Sequence, residues 1–152
     1  MSSAIHLIAA ARPTEAARPL LAGLAACKFT DAGNWDIEEI PKIKVSLMVK
    51  PDDGLFAVVE SASSIGAQVN IHTLYSDGRL FSVTNSELPA PRSLPANITR
   101  KQLPRCAPAE LAKVVRAMQA GPDFRSISAV EAPRVYEYLY AEAIRVRKET
   151  GR

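Results

Sequence analysis

His72 has the widest chemical repertoire of any side chain in this sequence. A neutral imidazole titrates close to physiological pH and serves as base, ligand anchor or metal ligand. Its neighbours are fixed by the stretch it stands in. Val69–Tyr75 and Arg79–Asn85 are rich in Val, Ile, Thr, Tyr and Phe and flank Ser76-Asp77-Gly78. Such residues suit a pleated sheet, and Asp-Gly tolerates the positive φ of a tight turn. Two registers are open. A two-residue turn would pair Tyr75 with Leu80 and mix polar and apolar residues on both faces. A three-residue loop with a glycine bulge would pair Tyr75 with Arg79. That register sets Val69, Ile71 and Thr73 beside Phe81 and Val83, and gathers Asn70, His72, Leu74, Leu80, Ser82 and Thr84 on the other side. A one-residue slip flips every side chain, so the cleaner segregation selects the second register.

Asn70, His72, Ser82 and Thr84 then form a polar group on adjacent strands, and Lys44 from the preceding strand's polar side is counted with them as ligand- or partner-binding. Turnover would require more. A reacting hydroxyl must come within about 2.6–3.2 Å of the imidazole, and a further group must orient the ring. No carboxylate in the sequence pattern backs His72, and Ser82 is expected to stay out of reach. No catalytic residue is therefore assigned. The alternative, a small hydrolase or transferase built on His72, ranks second.

The remaining chemistry is sparse. His6 and His72 are the two histidines, and neither lies in a Cys/His cluster of zinc-ligand spacing. Neither a nucleophile elbow nor a Walker or dinucleotide fingerprint occurs, and no cofactor is implied. Ser61–Gly66 reads as a hairpin loop, since no lysine-serine step or helix start follows it to hold phosphate. Cys27 and Cys106 are too few for a disulfide framework. Cys106 follows Arg105, which would favour thiolate, but a structural thiol is the plainer expectation. Leu24-Ala25-Ala26-Cys27 resembles a lipobox with a poor signal layout, and Cys27 is expected as a buried helix residue. Leu88–Pro108 carries Arg92, Arg100, Lys101 and Arg105 with no acid beyond Leu88. This basic patch is the basis for a third reading, a weak RNA binder, although the aromatics that stack bases are missing.

The elements around this stretch follow from pattern and punctuation. The 152 residues carry a net charge of +3 and 47% apolar residues, which fits one domain, residues 1–152, with its own core. No apolar run is long enough for a transmembrane helix. Ile43, Val45, Leu47 and Val49 alternate with Lys42, Lys44, Ser46, Met48 and Lys50, a strand pattern. Pro51–Gly54 is a turn, and Leu55–Glu60, apolar on both sides, is a central strand. These strands form an antiparallel meander with one apolar and one largely polar face. Thr14–Cys27 reads as a helix capped by Thr14 or started at Pro19. Asp31–Asn34 reads as a turn, and Trp35–Ile40 as a short strand. Residues 2–11 fit an edge strand or a helical turn equally. Asn97–Leu103 adds a last strand. Ala109–Ala120 is a helix with a Leu111, Val114, Val115, Met118 stripe. Ser128–Glu131 has capping-box spacing, and Pro133 starts a final helix with Tyr138 outside its core stripe. The fold class is α+β, an antiparallel sheet of about four to six strands flanked by an N-terminal helix and two C-terminal helices.

The order Cys27-Lys28-Phe29, Asp31-Ala32-Gly33, Ile37–Pro41, Pro51–Val59, Thr73–Gly78 and Thr84-Asn85 resembles a family of small bacterial proteins without assigned function, over residues 20–110. The resemblance implies a bacterial source and a shared fold, and carries over no active residue. The sequence reading as a whole is a non-enzymatic binding or protein-interaction module, of accessory, chaperone-like or immunity type. It is expected in the cytoplasm, with another protein or a second copy of itself as partner.

Overall fold

The computed structural model describes residues 5–63, 66–88 and 94–149, with side chains to residue 145. Ten principal elements follow in order: β1 (Leu7–Ala10), α1 (Arg18–Ala26), β2 (Thr30–Ile37), β3 (Lys44–Lys50), β4 (Leu55–Ala62), β5 (Gly66–Leu74), β6 (Leu80–Thr84), β7 (Ile98–Gln102), α2 (Pro108–Met118) and α3 (Ala132–Glu149). The strands stand in one sheet in chain order, β1 to β7. Residues 7–10, open between strand and helix in the sequence, are thus an edge strand.

The sheet is mixed, not purely antiparallel. β1 to β6 pair antiparallel, but β7 lies parallel to β6, Leu80 opposite Ile98 and Thr84 opposite Gln102. A parallel neighbour needs a crossover of about a dozen residues, and residues 85–97 supply it. The meander consequently has no free edge, because β2 covers β3 and β7 covers β6. Of the true edges, β1 is four residues long and β7 exposes Arg100 and Lys101, devices that discourage edge-to-edge pairing.

The expected hairpin register is the one found. Asn70 pairs with Thr84, Ile71 with Val83 and His72 with Ser82. Tyr75 N–H donates to the Arg79 carbonyl at 2.9 Å, and Gly78 sits at φ 93°. Asp31–Asn34, read as a turn, is instead an irregularity within β2, where register slips between Asp31 and Asn34. Gly33 at φ 102° takes the conformation an L-residue avoids there, with its N–H on Asp31 Oδ1.

The expected single apolar face is replaced by two. β4 is buried on both sides, and the apolar surface changes side as it crosses that strand. Val45, Leu47 and Val49 of β3 lie on the same face as Phe56 and Val58, and α3 packs there through Ala132, Val135 and Tyr136. Ala57, Val59, Val69, Ile71 and Val83 form the other face, covered by Leu24 of α1 and by Leu111 and Val115 of α2. Each helix layer is thus anchored on the half of its face that carries apolar side chains. The α3 capping box is formed: Ser128 N–H donates to Glu131 Oε1 at 3.0 Å, and Glu131 N–H to Ser128 Oγ at 3.2 Å. Thr14 does not cap α1, whose N-cap is Ala17 with Pro19 in its first turn; Thr14 Oγ1 accepts from Ala17 N–H one turn earlier.

A candidate polar cavity beneath the last helix

Polarity rises across the α3 face from β3 to β7. One cross-strand row runs Val49, Phe56, His72, Ser82, Arg100; the next runs Leu47, Val58, Asn70, Thr84, Gln102; a third runs Val45, Glu60, Gln68. The first half of α3 seats Val135 and Tyr136 on the apolar end of these rows. Farther along, Leu139, Tyr140, Ala143 and Ile144 pass over polar side chains that they cannot interdigitate with. A cavity of about 200 Å³ is left there, with Val58, Glu60, Gln68, Asn70, His72 and Arg100 as its floor and side. The polar face expected to be open is therefore roofed.

His72 is half-buried, its ring centroid 6.0 Å from that of Phe56. Nδ1 lies 2.5 Å from Ser82 Oγ. This corrects the expectation that Ser82 would be out of reach: paired positions on neighbouring strands have Cβ atoms about 5 Å apart, which brings the two polar tips together. The contact still lacks the features of a nucleophile and base. Ser82 is only 3% exposed, so its hydroxyl has little access to substrate. Among the described residues, no carboxylate hydrogen-bonds the imidazole. Burial, and to a lesser degree the Arg100 charge, push the His72 pKa down to about 3. An imidazole that resists protonation so strongly is a weak proton acceptor at neutral pH.

Beside it, Asn70 Oδ1 is buried and has no hydrogen-bond partner. Buried polar atoms are nearly always satisfied; Asn70 lines the cavity, but this oxygen itself has almost no accessible surface. Glu60 accepts from the Tyr136 hydroxyl at 2.6 Å and from Gln68 Nε2 at 3.3 Å. Burial and the Glu60 carboxylate together raise the Tyr136 pKa well above the usual phenol value, so Tyr136 remains a donor.

The other singled-out residues scatter. Thr84 is fully buried and its Oγ1 accepts from Ser86 N–H, a local structural bond. Lys44 points to the opposite face, with Nζ 3.0 Å from Asp36 Oδ1. Arg100 and Lys101 alternate across β7 onto different faces, Arg105 approaches Glu87 at 4.0 Å, and Arg92 lies outside the described residues. Among the described residues, Arg100, Lys101 and Arg105 thus form no continuous stripe. Cys27 is the half-buried C-cap of α1, not a core residue. The Cys106 thiol pKa is raised, chiefly by burial and then by the Glu110 charge, opposite to the thiolate reading. His6 sits on Glu39 and near Glu38, all three exposed. Glu60, Gln68 and Tyr136 escaped the sequence reading; the face-crossing in β4 and the seat of α3 put them here, and local alternation carries neither. Comparison of the chain with protein-family models, with curated proteins and with solved structures found no match.

Proposed function

We propose that this protein is a non-enzymatic binding module whose ligand enters the cavity between α3 and strands β4–β7. The observation that carries this reading is the cavity itself, about 200 Å³, roofed by α3 and lined by Glu60, Gln68, Asn70 and His72. Asn70 and His72 stand on rigid, centrally paired strands, the placement that holds a ligand in fixed geometry. Ser82 acts by orienting the His72 ring. The hydrolase reading keeps one supporting feature, the His72–Ser82 hydrogen bond, and ranks below because the hydroxyl is shielded and the imidazole is poorly basic. No described helix is long and apolar enough to cross a membrane.

A screen of small polar fragments by protein-observed NMR tests the reading. Saturable shifts should centre on the Asn70, His72 and Tyr136 amides and vanish in Ala143→Trp, which fills the cavity from α3. Shifts confined elsewhere, or unchanged in that variant, would refute it.

A further inference from the structure

A second concave surface involves α3 but shares no lining residue with the cavity beneath it. One wall is the first turns of α3 with the residues of its cap. The other is the segment 121–127, which is fastened down: Arg125 N–H donates to the Leu74 carbonyl at 2.8 Å, and Ser126 Oγ to the Pro51 carbonyl at 3.1 Å. A groove of about 390 Å³ lies between them, lined by Arg125, Val130, Glu131, Arg134, Val135 and Tyr138. Val130 and Tyr138 are the most exposed large apolar side chains among the described residues, at 89% and 58%. Single exposed apolar residues are ordinary, but two in one groove make a patch that a partner can cover.

The charges of the groove define that partner. Arg125 and Arg134 are exposed, and among the described residues neither guanidinium has an ion pair or a hydrogen bond. Glu131, the acid of the lining, is engaged in the capping box, where Oε1 accepts from Ser128 N–H. Arg134 stands in the first turn of α3, which carries no acidic residue. A cation there opposes the positive end of the helix dipole, so helix stability does not account for it.

We propose that this groove docks an acidic peptide segment of another protein, with one bulky apolar side chain seated against Val130 and Tyr138 and flanking carboxylates on Arg134 and Arg125. The guanidinium fork matches a carboxylate bidentately. Tyrosine and arginine are also the side chains that carry most of the energy at protein interfaces. A nucleic acid fits less well, because two cations make a short track for phosphates and Glu131 beside Arg134 repels them. A second copy of the chain fits less well too. A two-fold contact presents one patch to itself, which would set cations against cations.

Selection of displayed random peptides on the full chain, with amide shifts to locate where the enriched sequences bind, decides the matter. The enriched peptides should carry a large apolar residue flanked by Asp or Glu, give saturable shifts at Val130, Arg134 and Tyr138, and bind more weakly as salt rises. Arg134→Glu should weaken them at least tenfold. The same substitution sets a carboxylate at the positive end of α3, so its thermal midpoint should equal or exceed that of the wild type, and the lost binding then reports the contact and not the fold. Arg125→Glu gives the same readout from the other wall. No enrichment, enrichment of neutral or basic sequences, shifts confined to the cavity residues, or unchanged affinity in both variants overturns the proposal. Tighter binding of a single-stranded oligonucleotide at the same amides overturns it in favour of RNA, and dimerisation lost in Tyr138→Ala overturns it in favour of a second copy. None of these outcomes bears on the cavity reading above, which has its own screen.

Discussion

Replacing His72 by Asn should flatten the loss of stability in mild acid. Asparagine retains a polar atom near the position of Nδ1 and can keep the Ser82 contact, but it does not titrate. In the unfolded chain His72 takes up a proton at about 6.5, while in the folded protein burial and Arg100 hold the pKa near 3. The unfolded state therefore binds the proton first, and folding stability falls as pH drops through 6.5. The slope reaches 1.36 kcal/mol per pH unit. Between pH 6.5 and 5.0 the loss is about 2 kcal/mol, and it levels off near pH 3 at a ceiling of about 5 kcal/mol. The modest exposed area of His72 makes both figures upper bounds. Asp53, whose pKa is lowered by Lys50 and Arg116, also loses stability in acid, at lower pH, and it does so in both proteins. The quantity to measure is thus the difference between wild type and His72→Asn in urea unfolding free energy, at pH 7.5 and at pH 5.0. The gap should close by about 1–2 kcal/mol on acidification. Parallel pH profiles would show that the imidazole protonates freely in the folded state and that α3 does not dehydrate it.

Three further outcomes follow from local geometry. Gly54→Ala should lower stability by about 2–4 kcal/mol, because Gly54 sits at φ 68° and a Cβ there would lie 2.3 Å from Phe124 Cδ1; thermal unfolding reads this, and the loss should shrink in a Phe124→Ala background. Asn85→Ala should cost about 2 kcal/mol, since the Asn85 amide accepts from Val69 N–H at 2.8 Å and donates to the Cys106 carbonyl at 3.1 Å; urea denaturation checks it, and a neutral result would mean water replaces both bonds. Cys106 should react with a disulfide reagent more slowly than a free thiol at pH 8, because burial and Glu110 disfavour its thiolate; comparison of Cys27→Ser with Cys106→Ser isolates its rate.

What the sequence made legible was set by interactions local in the chain. The β5–β6 register was readable because Asp77-Gly78 fixes the loop and alternation on the two arms fixes the face. The capping box at Ser128–Glu131 was readable because four consecutive residues contain it. The partner of β7 was not, since nothing in Asn97–Leu103 distinguishes a parallel neighbour from an antiparallel one; the crossover of residues 85–97 makes that choice. The double face was missed for a similar reason. Alternation in β3 and in β5 states which residues share a side within each strand, but the relation between the two passes through β4, where Leu55 to Val59 are all apolar and the pattern carries no phase.

That same loss of phase explains why a site exists at this place. With a single apolar face, α3 would have packed on Val69, Ile71 and Val83 with the other helices, and His72 and Asn70 would face solvent. Because the apolar surface changes side at β4, α3 is drawn by Val45, Leu47, Val49 and Phe56 onto the face whose far half is polar. The helix is longer than the apolar patch that anchors it. Its first turns are secured by Val135 and Tyr136, and its later turns are carried over Asn70 and His72 with little to fill the gap. The anchor costs the polar residues their water, as the depressed His72 pKa records, and supplies Asn70 Oδ1 with no donor in return. A core residue in place of Asn70 would close the gap at no such penalty. Asn70→Leu should therefore raise stability while abolishing binding in the cavity, a stability–function trade of the kind binding sites show. If the substitution instead destabilises the fold, Asn70 is held by its packing on the sheet and the case that it is kept for a ligand fails.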